Sequence, residues 1–407
     1  MIPPHTRVCI TAFILAFGTT LAYHATPFYA FDHLGGDTRM SGNFGAAQSV
    51  VYVLTSLLSV QLIARTARGF DLAMLGTGFY ALTYGAVPFI QSPWLCIIAS
   101  ALGLGGMALT WPAFHSWIGG EPDPAQRARH MSWLNIGWSS GAAVSPLFAG
   151  PLYDLDYRYP FIGAIAFCVA VVLVLRTVPH EHAHFGEASQ EQLDARADHD
   201  RTALTFLWPA WLSVFVVHAL GAALRNVYPK RVDELVKEGT LRWFAEADPS
   251  AFLSHNPATI FGLLAFAFNF GTAAAFFGMG RTKGWKLRFA AMLVPQLAAM
   301  AAVYTLATTH SIIAMSLGAA AIGAALGMCF FACSYYCLTD PAMKHRRSAL
   351  NEGVVGAGAL VGSLAFGQAA ALLGTTVPFA LAPVGIAALI VAQFTTLKVS
   401  RRRQQMG

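Results

Sequence analysis

The sequence predicts an all-α membrane protein of twelve transmembrane helices arranged as two six-helix pseudo-symmetric halves. Three observations carry that prediction. Of 407 residues, 56% are hydrophobic and only 11% charged, where a soluble domain has about a quarter charged. Twelve apolar runs are long enough to cross a bilayer core, which takes roughly 20 helical residues. Polar phrases also recur at a fixed offset. "SWLNIG" begins at Ser132 and "SALNEG" at Ser348, while "RTARGFDL" begins at Arg65 and "RTKGWKL" at Arg281, 216 positions apart in both cases.

The first run, 8–31, exceeds the apolar core of a cleaved signal and lacks a small-x-small cleavage site, so it reads as a retained helix. Runs 43–64 and 72–91 follow, set off by "DHLGGD" and "RTARGFD". Run 93–118 contains "GGMALTW", echoed by "LGMCFFA" in the tenth run. Runs 131–153 and 159–178 complete the first half. Residues 179–204 form a polar linker with little to bury. Run 205–228 opens the second half, and the amphipathic segment 229–256 reads as a surface helix capping one side. Runs 257–279, 289–308, 311–338, 349–373 and 376–398 complete it. The domain reading is a bundle over 1–178, a cytoplasmic linker over 179–204 and a bundle over 205–407.

Charge orients the map. With the N-terminus inside, 19 of the 26 Lys and Arg fall in inside segments, the enrichment expected of short cytoplasmic loops. Both termini are therefore placed in the cytoplasm of a multi-pass protein of the cell (inner) membrane. The net charge of +6 sits in short loops and signals topology rather than a phosphate-tracking surface, so no nucleic-acid partner is expected. Six cysteines without a CxxC pair imply no disulfide framework. No HExxH, GxSxG or carboxylate dyad supports an enzyme, and no cofactor is expected.

Two repeated six-helix halves joined by a cytoplasmic linker resemble the major facilitator superfamily over the whole chain. "GLGGMALTWPAFH" followed by "RARHMSWLNIGWSSGAAVSP" is similar to that family's helix four, basic loop and glycine-rich helix five. "RTARGFDLAMLG" stands where the family's motif between helices two and three belongs, with Arg65 where an acidic residue is expected. The resemblance implies alternating-access transport, with a monomer as the default. In the family this loop meets the start of helix eleven when the cytoplasmic side closes. The expected gate is therefore Arg65 with Glu352, together with the two asparagines of the repeat, Asn135 and Asn351.

Charge inside a bilayer is costly and tends to mark function. His24 in the first run and Arg225 in the seventh occupy similar depths in helices that correspond under the repeat. The resemblance implies that both line a central cavity. A guanidinium offers a fixed fork for a carboxylate or phosphate. The expected cargo is a small organic solute, with an anion as the favoured class, held by Arg225, His24, Tyr23, Tyr228 and Asn269. The competing reading of Arg225 is an anchor that snorkels to the outer interface.

The glycines of the fifth and eleventh runs, Gly137, Gly141, Gly150, Gly353, Gly356, Gly358 and Gly362, read as close-packing residues. Cys329, Cys333 and Cys337 share a helical face, and His180, His182 and His184 alternate on the linker. Packing and a solvated tract are the preferred readings, and no metal is expected. A metal-ion transporter and a non-transporting membrane sensor on the same fold are the alternatives. Cysteines introduced at Ser189 and Ser250 should react with an impermeant reagent from opposite sides of intact cells. Labelling of both from one side would contradict the twelve-helix map.

Overall fold

The computed structural model describes residues 3–65, 69–119, 124–179, 204–243, 256–337 and 344–406. The first half holds α1 (Pro4–His33), α2 (Thr38–Arg65), α3 (Gly69–Ala86), α4 (Pro93–Gly119), α5 (Pro124–Val144), α6 (Pro146–Leu155) and α7 (Tyr159–Leu175). The second holds α8 (Leu207–Asn226), α9 (Tyr228–Lys237), α10 (Pro257–Arg281), α11 (Ala290–Thr308), α12 (Ile312–Cys337), α13 (Lys344–Leu373) and α14 (Thr376–Met406). Helices α5 and α6 form one rod and α8 and α9 another, which makes twelve rods among the described residues.

Proline explains both broken rods. Pro146 and Pro229 have no N–H to donate back one turn, so each interrupts the helical ladder. At the first break the Ser145 hydroxyl turns to the Phe17 carbonyl of α1, 2.6 Å away. Among the described residues nine helices are individually long and apolar enough to cross a membrane, while α7, at 17 residues, is apolar but shorter. Leu75, Leu82, Leu317 and Val384 stand exposed along the outside of the bundle, as lipid-facing residues must.

Lipid tails are as apolar as leucine, so helices in a bilayer associate through close backbone packing rather than hydrophobic burial. Both halves solve this with the same pairings. α1 packs on α5 and α7 as α8 packs on α13 and α14; α2 packs on α4 as α10 packs on α12. A Cβ at Gly137 would lie 2.7 Å from the Cys9 carbonyl oxygen, and one at Gly358 would lie 2.5 Å from that of Phe215. These glycines let α5 touch α1 and α13 touch α8. Cys333 likewise packs against α13, its thiol 3.0 Å from Asn351 Oδ1. Among the described residues no three His, Cys, Asp or Glu side chains form a metal-holding group. The histidines of the linker lie outside those residues.

The amphipathic segment 229–256 corrects an expectation. It does not begin as a surface cap: α9 continues the seventh rod to Lys237 and buries Val232, Asp233 and Leu235. Lys230 and Lys237 hold the Asp233 carboxylate at 2.9 Å each. The Glu234 carboxylate accepts the Thr375 hydroxyl at 2.5 Å. The chain then turns at Gly239, whose φ of +65° suits glycine. Arg242 pairs with Ser311. Gly239 marks the bundle's far face, opposite the face that carries both termini.

Candidate functional site

A cavity of about 280 Å³ lies between the two halves, at the small end of the roughly 300–1,000 Å³ typical of ligand pockets. The first half lines it with Thr19, Thr20 and Tyr23 of α1, Gln48, Ser49 and Tyr52 of α2, Trp111 of α4 and Trp138 of α5. The second half adds His218, Arg225 and Asn226 of α8 and Gly356 of α13. Among the described residues no Asp or Glu is in the lining.

Arg225 owes its depth to the seventh rod's continuation through α9. Its carrying helix does not stop beside it, and Arg225 is half-buried in the cavity lining. Its Nε donates to the Gly221 carbonyl at 3.2 Å. Its Cζ lies 5.8 Å from the centre of the Tyr23 ring, at the outer limit of a cation–π contact. No carboxylate among the described residues pairs with it. Its two terminal nitrogens thus keep their donors for a guest.

His218 lies two turns earlier on the same face. Its Nδ1 is 2.9 Å from the Val214 carbonyl. In a neutral ring that bond puts the proton on Nδ1 and leaves Nε2 an acceptor. His218 was not among the residues expected at the site, and its seven-residue spacing from Arg225 on one helix is the signal that could have found it. The tryptophans were missed altogether. Trp138 donates to Asn135 Oδ1 at 3.1 Å, and its ring packs edge-on against Trp111, centroids 6.3 Å apart. Also in the first half, Gln48 Nε2 donates to the Tyr84 hydroxyl at 3.0 Å, and Tyr84 stacks on Tyr80 at 4.2 Å.

A smaller void of about 30 Å³ brings Tyr23, His24, Arg225 and Asn269 together on the far-face side. The Asn269 amide donates to the Ala265 carbonyl at 2.9 Å, which leaves its oxygen available. His24 is engaged in closing the bundle: its Nε2 lies 3.2 Å from the Ala258 carbonyl across the interface, and its ring stacks on Phe261 at 5.1 Å. Tyr228 is elsewhere. It is fully buried, donates to the Leu306 carbonyl at 2.9 Å and packs edge-on against Phe379. It lines neither void, and its position corrects the expectation of a cargo contact.

The far face is sealed by two seams. In one, the Ser41 hydroxyl of α2 bonds the Asn226 carbonyl of α8, and the Asn226 amide donates to Ser363 of α13 at 2.9 Å. A Cβ at Gly42 would lie 2.6 Å from the Ser363 carbonyl oxygen. In the other, α6 meets α10: Thr259 donates to Asp154 at 2.5 Å, and Gly150 sits against Ala258 and Thr259. Toward the termini, Trp138 against Phe276, 5.8 Å apart, and Gly356 against Val53 join the halves.

The gate expected at the termini face is only partly in view. α2 ends at Arg65, whose side chain lies outside the described residues. α13 starts at Lys344 rather than beside Glu352. Glu352 therefore lies about 12 Å along the helix from its start, not at the helix start where it was expected. Glu352 instead neighbours Tyr52 of α2 closely enough to interact electrostatically. Asn351 is held by Cys333 and Asn135 by Trp138.

A pseudo-symmetric bundle with a polar cavity between its halves defines a membrane transporter of solutes. The chain belongs to the Major Facilitator Superfamily, whose model matches residues 8–235. No curated protein matches the sequence. Among solved structures the chain is similar to a bacterial homolog of the human lysosomal transporter Spinster in its inward-facing, unoccupied conformation. That match has 14% identity, covers 99% of this chain and 98% of that one, and has a TM-score of 0.68. It is also similar to a POT family transporter in complex with 5-aminolevulinic acid, with 12% identity, 97% and 96% coverage and a TM-score of 0.72. The human organic anion transporter MFSD10 is 14% identical over 97% of this chain and 100% of that one, with a TM-score of 0.62. At these identities the likeness establishes the fold.

If His24 helps to hold the far face shut, His24→Phe should keep the stack on Phe261, lose the Ala258 contact and open that face. Spin labels at Asp156 and Glu238, one in each half, should then show a longer distance population than in the parent protein. An unchanged distribution would mean that the Ala258 contact does not contribute to closure.

Proposed function

We propose that the protein is a secondary active transporter that carries a small organic anion by rocking its two halves about the central cavity. One observation supports the reading most: Arg225 lines a cavity to which the described residues contribute no carboxylate. A guanidinium withdrawn from water at that depth is costly and regains interaction energy when a carboxylate or phosphate takes its free fork. His218 and Asn269 add polar contacts on either side of it, and Tyr23 flanks the charge. Trp111 and Trp138 offer apolar faces to the guest's body, so a flat or ring-bearing anion fits the lining better than inorganic phosphate. The organic anion cargo of MFSD10 and the amino acid held by the POT transporter are precedents within the fold.

The proposed site is Arg225, His24, Tyr23 and Asn269 with His218, and the proposed organisation is a bundle over 1–178 and one over 205–407. The linker and both termini face the cytoplasm of the cell (inner) membrane. Arg65, Glu352, Asn135 and Asn351 form the cytoplasmic gate in this reading, which closes as the far seams part. The metal-ion alternative gains nothing from the described residues, where the cysteine face of α12 is occupied by packing. A sensor would bind the anion without moving it, and uptake separates the two.

The test is binding and uptake of an anion found by thermal shift on the purified protein. A ligand of the folded state raises the melting temperature. Lys keeps the charge of Arg225 but cannot make a bidentate pair. Arg225→Lys should weaken binding by on the order of ten- to a hundredfold, the value of a charge-assisted contact, and Arg225→Gln should weaken it at least as much. Near-normal affinity and uptake in both variants would remove the anion reading.

A further inference from the structure

We propose that a groove on the outer side of the first half, between α1 and α5, binds an anionic phospholipid from the leaflet on the termini side. The groove encloses about 740 Å³. It lies on the termini side of Gly137, the point at which α5 touches the Cys9 carbonyl. It is distinct from the central cavity. α5 turns Trp138 and Ala142 inward, whereas Arg129, Trp133 and Ile136 line the groove. At 100° per residue these two sets occupy nearly opposite sides of the helix.

The chemistry of the lining divides along its length. At the termini end Arg129 is exposed and pairs with no carboxylate among the described residues. Beside it His5 and His130 stack at 4.2 Å with planes 13° apart. Trp133 is 53% exposed, the placement of an aromatic ring at a membrane–water interface. Deeper in, Ile10 (43% exposed), Phe13 and Ile136 continue as an apolar floor. A cation and an interfacial tryptophan above, with an aliphatic channel below, match a phosphate headgroup with its acyl chain. Basic pockets between transmembrane helices recognise anionic headgroups in this way. The sequence agrees, since 19 of the 26 Lys and Arg fall in segments that the charge map assigns to the side of the termini. The occupant is a phospholipid rather than free phosphate because the greater part of the lining is apolar.

The experiment uses the full-length protein in detergent with phosphatidylglycerol, phosphatidylcholine or inorganic phosphate. Retained lipid is read by native mass spectrometry and stability by thermal unfolding. Phosphatidylglycerol should be retained and raise the melting temperature, while phosphatidylcholine and inorganic phosphate should not. Arg129→Gln should lose roughly fivefold in phosphatidylglycerol affinity, the worth of one basic residue at a membrane surface, and Arg129→Lys should keep it. Equal retention of the two lipids, stabilisation by inorganic phosphate alone, or full affinity in Arg129→Gln would overturn the assignment. A second readout avoids substitution at Arg129. The fluorescence difference between the parent protein and Trp133→Phe should be quenched more by brominated phosphatidylglycerol than by brominated phosphatidylcholine. Equal quenching counts against the site.

Discussion

Contact between the two halves at the far face depends on side chains that are absent or small. Gly42 and Gly45 of α2 lie against Ser363 and Asn226, while Gly150 and Gly262 bring α6 and α10 together at Ala258 and Pro146. Here the seams between halves are backbone against backbone, bound by few polar links. Close packing of this kind supplies dispersion and weak interhelical hydrogen bonds rather than burial from water. Such a seam can therefore part without exposing a large apolar surface to solvent. The cavity is bounded on one side by that seam, and so is the smaller void beside Arg225.

The position of Arg225 follows from this geometry and from one proline. Pro229 breaks the seventh rod without ending it, and α9 continues past the break, with Arg225 half-buried beside the cavity. The far seam runs through its neighbours: Asn226 bonds to both Ser41 and Ser363, and Tyr23 and His24 join the charge to α1. A guest that neutralises the guanidinium would sit directly beneath the contacts that must separate for the far face to open. The proposed cargo site and the closing contacts are thus within a few residues of each other on α8 and α1. A change in charge at Arg225 can act on the seam through side chains that already touch it.

The fold was legible because its causes are local and repeated. Apolar runs of bilayer length and phrases at a fixed 216-residue offset fix the number of rods and the pairing of halves, whatever the detailed packing. Pairings of depth were partly legible: His24, Arg225, Tyr23 and Asn269 do converge. What failed depended on where helices stop. The competing reading of Arg225 as a helix-end anchor assumed that the helix ends beside it, whereas α9 continues to Lys237 and buries Val232 and Leu235. Glu352 looked like a helix start because Lys344, Arg346 and Arg347 read as a loop. Tyr228 lies just past the break at Val227 and is buried against Leu306 and Phe379. Trp111 and Trp138 carry no polarity signal in an apolar run, and only the arrangement of the two halves shows that they face a cavity.

The central claim is that this cavity selects negative charge. The most direct measurement is thermal unfolding of the purified protein with matched pairs of ring-bearing carboxylic acids and their uncharged carboxamides, which share shape and differ in charge. The account predicts that acids raise the melting temperature in a saturable way and that their amides do so weakly or not at all. Equal stabilisation by acid and amide, or stabilisation by the matching amines instead, would contradict it.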